Sequence, residues 1–109
     1  MSKLELQKKD LLKEIEKLGY SSLRYSIFSE ERPGEWEVVI EYNQVEKLYF
    51  VYGTMDRGSF NGKHVYNTFQ EAKTKFLDIL ADIVIINRYY VKEGMPVNYP
   101  SPLWDDATE

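Results

Sequence analysis

Between Phe69 and Tyr90, apolar side chains recur at alternating steps of three and four: Phe69, Ala72, Phe76, Ile79, Ile83, Ile86 and Tyr90. A helix, with about 3.6 residues per turn, brings such positions onto one face. Leu77, Leu80 and Val84 widen that face, so the helix must be nearly buried and the rest of the chain must supply the surfaces that bury it. Thr68 and Glu71 have the spacing of a capping box at its start. Gly94 and Pro96 place its end at about Lys92. Ile85 and Tyr89 are out of place, because they fall on the side that Glu71, Lys75, Asp78 and Asp82 mark as polar. The segment after Gly94 carries Val97, Tyr99, Leu103 and Trp104 among prolines. Proline cannot extend the helix but allows an extended tail to fold back across it. The tail is therefore expected to cover Ile85 and Tyr89, with a homodimer contact as the alternative.

A second helix opens the chain. Ser2 stands three residues before Glu5, another capping-box spacing, and Gly19 suits the left-handed residue that follows a helix. Leu4, Leu11, Ile15 and Leu18 form its apolar stripe, widened by Leu12. Lys8, Lys9, Lys13 and Lys17 alternate with Asp10, Glu14 and Glu16, the pattern of a solvated face.

The middle of the chain reads as strands. Leu23 to Phe28 suits a strand, with Tyr25 and Ile27 on one face, and Glu31-Arg32-Pro33-Gly34 reads as a turn. Trp36, Val38, Ile40 and Tyr42 then alternate with Glu35, Glu37, Val39 and Glu41. Such alternation marks an antiparallel strand with one side in the core and the other in water. Asn43 to Lys47 has hairpin length. Leu48 to Met55 is aromatic on both faces, with Tyr49 opposing Phe50 and Tyr52, so it belongs inside a sheet. A glycine-bearing loop from Asp56 to Lys63 leads to a short fourth strand at His64 to Tyr66. The fold class is α+β: a three- to four-stranded antiparallel meander held between two helices in the order α-β-β-β-(β)-α, followed by an extended proline-containing tail. The 109 residues suit one domain, 1–109, with 105–109 frayed.

Composition narrows the chemistry. The chain has no cysteine, which rules out disulfides, zinc thiolates and thiol nucleophiles and suits a reducing cytoplasm. The start Met1-Ser2-Lys3-Leu4-Glu5 lacks a signal-peptide apolar run, and Ile83–Ile86 is too short to span a membrane. Eighteen acidic against fourteen basic residues give a net charge of −4, which disfavours nucleic acid and is compatible with a basic protein partner.

No catalytic constellation emerges. His64 has no nucleophile-elbow pattern around it, and Ser59 is the nearest serine upstream. Glu35, Glu37 and Glu41 would project into water together, and solvation keeps such carboxylates ionised rather than poised as acids. No calcium-loop spacing is present, and Gly58, Gly62 and Lys63 do not make a phosphate loop. Asp56-Arg57 is more suggestive, because loops carry function and arginine makes planar bidentate contacts. A local ion pair is its plainer explanation. The chain also has nine tyrosines, a residue enriched at interfaces, and the glutamate-rich strand face beside them is the best surface for a basic partner.

Gly34-Glu35-Trp36-Glu37-Val38, Tyr49-Phe50-Val51-Tyr52 with Thr54 and Asp56-Arg57, Phe69-Gln70-Glu71-Ala72-Lys73 opening the long helix, and Ser101-Pro102-Leu103-Trp104 together span most of the chain. In this arrangement the chain resembles the small immunity proteins of bacterial polymorphic toxin systems. The resemblance implies a non-enzymatic cytoplasmic antitoxin that binds a cognate toxin domain and blocks its active site or another essential surface. It supplies no catalytic residue, cofactor or metal. On that reading Glu35, Glu37, Glu41, Tyr49, Asp56 and Arg57 are the expected partner contacts, with a monomer expected rather than a homodimer. Two alternatives stand beside it. One is a small-molecule site or minor enzyme lined by Tyr52, Arg57 and His64. The other is a homodimeric adaptor using Ile85 and Tyr89.

Overall fold

The computed structural model describes residues 2–29, 34, 36–54 and 63–105. Its elements are α1 (Lys3–Leu18), β1 (Tyr25–Ile27), β2 (Val38–Asn43), β3 (Leu48–Gly53), β4 (His64–Tyr66), α2 (Phe69–Lys92) and α3 (Pro102–Asp105), an α+β arrangement. The sheet has four strands in the order β1-β2-β3-β4.

Both long helices begin at their expected caps. The Glu5 N–H donates to Ser2 Oγ at 3.2 Å, and the Glu71 N–H donates to Thr68 Oγ1 at 3.3 Å. The Thr68 hydroxyl in turn donates to Glu71 Oε1 at 2.9 Å, so the carboxylate holds the cap in place. Gly19 ends α1 with φ of 78°, its N–H bonded to Glu16 O while Tyr20 N–H reaches Ile15 O. That paired pattern caps the last carbonyls of the helix, and only a residue without a Cβ enters it without strain.

The sheet is mixed, which corrects the expected all-antiparallel meander. β2–β3 and β3–β4 are antiparallel, but β1 pairs parallel with β2, Tyr25 opposite Val38 and Ile27 opposite Ile40. A tight turn can join only antiparallel neighbours; a parallel pair needs a connection long enough to carry the chain back to the start of the first strand. Residues 28–37 separate the two strands in sequence. Within this connection Phe28 and Trp36 adopt left-handed φ values of 49° and 61°, which redirect the chain. Of the expected turn at 31–34, only Gly34 is among the described residues. Thr54 ties the end of the connection to the sheet: its hydroxyl donates to Gly34 O at 2.8 Å and accepts from the Glu37 N–H at 2.8 Å.

Both helices lie on one face of the sheet rather than on either side of it. Leu11 and Ile15 of α1 and Ala72, Phe76, Leu80, Ile83 and Val84 of α2 share one buried cluster with Ile27, Val38, Ile40, Tyr49 and Val51. The physical reason is that cross-strand partners share a face: the pairs Ile40–Val51 and Ile27–Ile40 make a single apolar surface large enough for both helices. Lys73 Nζ and Asp10 Oδ2, 2.7 Å apart, join the helices at its rim. The stripe of α1 is narrower than its leucines suggest. Leu12 and Leu18 are exposed, while Gln7 is buried, with its Oε1 accepting a 3.0 Å hydrogen bond from the Tyr49 hydroxyl.

The tail folds back on α2 and, instead of staying extended throughout, closes with α3. Ser101 caps this helical turn by accepting from the Leu103 N–H at 3.2 Å, and Pro102 occupies the first helical position, where its missing N–H costs nothing. Trp104 is fully buried; its Nε1–H donates to Tyr99 O at 3.0 Å, and the two rings meet edge to face at 5.0 Å. Asn87, fully buried in α2, holds the start of the tail: Nδ2 donates to Asn98 Oδ1 at 3.0 Å and Oδ1 accepts from the Asn98 N–H at 2.8 Å. Asn87 lies on the buried side of α2, nearly opposite Ile85, so the tail does not cover Ile85 and Tyr89 as expected. They remain 66% and 52% exposed. Residues 106–109, within the segment expected to fray, lie outside the described residues, whereas Asp105 belongs to α3.

Candidate functional site

The second face of the sheet carries a different set of side chains. The register puts Val39 opposite Tyr52, Glu41 opposite Phe50, and Phe50 opposite Val65. None of Val39, Glu41, Phe50, Tyr52 and Val65 belongs to the cluster that α1 and α2 help build. Val39 is 1% exposed, so the face is covered there; Val65 is 52% exposed, and Glu41, Phe50 and Tyr52 are half-buried.

This face is a compact arrangement of acid, aromatic and cation. The Tyr52 hydroxyl donates a short hydrogen bond to Glu41 Oε1. Burial, then the hydrogen bond to Glu41, then the charge of Glu41 push the Tyr52 phenol well above its usual range, so it stays a neutral donor. Lys63 Nζ lies over two rings, 4.7 Å from the centroid of Tyr52 and 5.3 Å from that of Phe50. The face thus already accepts an ammonium group against its aromatic rings. Glu37 lies just before β2 in the same alternation as Val39 and Glu41, and its carboxylate sits against Gly34, where an added Cβ would come within 3.0 Å of Oε2.

Of the expected partner contacts, Glu41 is therefore found with Tyr52 and Phe50, and Glu37 lies before the start of β2 with its carboxylate against Gly34. Tyr49 is on the opposite face, 4% exposed, with its hydroxyl spent on Gln7 and its ring 4.8 Å from that of Tyr42. Glu35, Asp56 and Arg57 lie outside the described residues. The Lys63 stack and the Tyr52–Glu41 bond were not anticipated. Their signal was available in the hairpin: if Asn43 pairs with Leu48 across the four-residue turn, counting back along both strands brings Glu41 and Tyr52 to diagonal positions on one face.

The pocket alternative is not assembled by its described members. His64 pairs with Val51 and so shares the Val51 side of the sheet, opposite to Tyr52. An open hollow between the start of α1 and the β2–β3 hairpin measures about 340 Å³ and is lined by Ser2, Lys3, Leu4, Tyr42, Gln44 and Tyr49. Among the described residues no cluster of histidine and carboxylates is placed to hold a metal ion, and no helix is long and apolar enough to cross a membrane.

No curated protein and no solved structure matches the chain. The sequence pattern of one family, described as Immunity protein 59, matches residues 4–105, from the first turn of α1 to the end of α3. The match takes in both helices, the whole sheet and the folded-back tail, and the chain belongs to the Immunity protein 59 family.

Proposed function

We propose that the chain acts as a cytoplasmic antitoxin in a bacterial polymorphic toxin system, binding a cognate toxin domain and occluding its active site or another essential surface, without catalysis of its own. The observation that carries this reading is the second face of the sheet, to which the buried cluster of the two long helices does not extend; there Glu41 stands beside the Phe50 and Tyr52 rings, and Glu37 precedes β2 in the same alternation. Carboxylates on a chain with net charge −4 steer a basic partner toward contact. Aromatic rings then supply contact area at small cost in rotamer entropy. The Lys63 ammonium over both rings is an internal example of the contact that a lysine or arginine of a basic toxin would make. Asp56 and Arg57 fall in the connection between β3 and β4 and Glu35 just before Trp36, so the proposed contact surface extends to them by sequence position.

Co-expression with a toxin domain encoded in the neighbouring gene tests this reading. Protection of growth together with co-purification of the two chains is the expected result. Failure of both, with each chain folded and expressed, overturns it.

A further inference from the structure

The tail leaves one apolar feature of α2 uncovered, and that feature lies on the opposite side of the molecule from the proposed toxin face. Ile85 and Phe76 are separated by about two and a half turns of about 3.6 residues, so Ile85 points away from the core in which Phe76 is buried. Ile85, Tyr89 and Ile86 are 66%, 52% and 40% exposed, a contiguous apolar ridge on a helix otherwise polar on that side. The tail engages α2 through the buried Asn87 and through Arg88, whose Nε–H donates to Leu103 O at 3.0 Å.

The charges along this ridge are divided by sign. Asp78 and Asp82 precede Ile85; Arg88 and Lys92 follow it; all four are exposed. In an antiparallel pair of α2 helices related by a two-fold axis through Ile85, a residue a given number of places before Ile85 meets the one the same number of places after it. Asp78 then faces Lys92, Asp82 faces Arg88, Ile85 meets its own copy, and the Tyr89 ring comes over the small Ala81. Two-fold symmetry makes each pairing between different positions twice, and the Ile85 pair once on the axis. A parallel, in-register pair would instead set each charge against its like. We infer that this ridge is a contact between two copies of the chain, packed antiparallel on α2. The apolar centre is narrow, so the dimer dissociates in the micromolar range rather than below it. Because the ridge faces away from the sheet, each copy keeps its Glu41–Tyr52 face open, and the dimer presents two toxin-binding faces on opposite sides.

Sedimentation velocity of the full chain over a concentration series up to about 1 mM reads this directly. The expected result is a rise from monomer toward dimer, abolished by Ile85→Arg. Asp78→Lys and Lys92→Asp each turn two attractions into repulsions and weaken the dimer about tenfold or more, whereas the double variant restores both pairs and recovers most of the affinity. All three substituted sites are exposed, and far-ultraviolet circular dichroism checks the fold of each variant. A chain that stays monomeric through the series, a dimer indifferent to Ile85→Arg, or a double variant no tighter than the single ones overturns the inference. A monomeric chain in which Ile85→Arg abolishes protection in co-expression also overturns it and assigns the ridge to the toxin. Growth protection by a monomeric Ile85→Arg variant separates failure of the dimer from failure of the antitoxin reading.

Discussion

Asn87→Ala tests how the tail is held. Asn87 is fully buried in α2, and its side chain bonds Ile83 O at 2.8 Å, Asn98 Oδ1 at 3.0 Å and the Asn98 N–H at 2.8 Å. The Ile83 carbonyl keeps its backbone helix bond in the variant, so its loss matters little. The Asn98 amide and side-chain oxygen lose partners at a half-buried position, at about 1 kcal/mol each. The small cavity adds roughly 1 kcal/mol, and the better helix propensity of alanine returns roughly 0.6 kcal/mol. The net destabilisation is about 2 kcal/mol. A 109-residue chain unfolds with an entropy of roughly 2.1 cal/mol/K per residue, so the expected fall in Tm is about 9 °C. Thermal unfolding followed by circular dichroism measures the shift. In a Trp36→Phe background, the fluorescence of Trp104 reports whether α3 loosens from the core. A fall of less than about 2 °C with unchanged Trp104 emission would show that the Asn87–Asn98 bonds do not hold the tail, and would refute the reasoning.

Three further outcomes follow from single sites. The folded-state pKa of Tyr52 is raised, so its contribution to stability is fully present below the unfolded tyrosine value of about 10 and declines as pH climbs from there toward the folded value. Burial raises the Tyr99 phenol as well, so alkaline difference spectroscopy should show more than one late-titrating tyrosine, with the Tyr52 contribution lost in Tyr52→Phe. Gln7→Ala leaves the buried Tyr49 hydroxyl without its acceptor and should cost about 1–3 kcal/mol in urea unfolding. Gly19→Ala meets no atom within 4 Å but must adopt φ of 78°, so chemical denaturation should show a loss of about 1 kcal/mol from backbone strain alone.

The elements that could be read in the sequence were those with a local cause. Ser2, Thr68, Gly19 and Gly94 act on their own helix ends, and the caps appear where spacing put them. The three-and-four steps from Phe69 to Tyr90 likewise fixed the identity of α2, because periodicity is a property of the helix itself. What escaped depended on partners distant in sequence. The parallel pairing of β1 with β2 is a matter of how two strands separated in sequence come together, which strand alternation does not encode. The burial of Gln7 and Asn87 is not legible locally, because nothing in the sequence announces Tyr49 or Asn98 as their partners. Ile86, in step with the apolar period, is 40% exposed because the buried face is centred on Phe76, Leu80, Ile83 and Asn87. The site shows the same division. Alternation marked Glu37 and Glu41 as one face, whereas the two-sided aromatic pattern of β3 could not say which ring joins the core, and Tyr49 does.

The association rate of a purified cognate toxin domain with the wild-type chain and with Glu37→Gln/Glu41→Gln tests the central claim most directly. Glutamine at 41 keeps a carbonyl oxygen for the Tyr52 hydroxyl, so the double variant removes charge while sparing the local bond. If the acidic sheet face meets the toxin, the rate falls about tenfold or more at low ionic strength, and the difference closes as salt screens it. Equal rates for the two chains at every ionic strength would contradict the account and move the toxin contact to another surface.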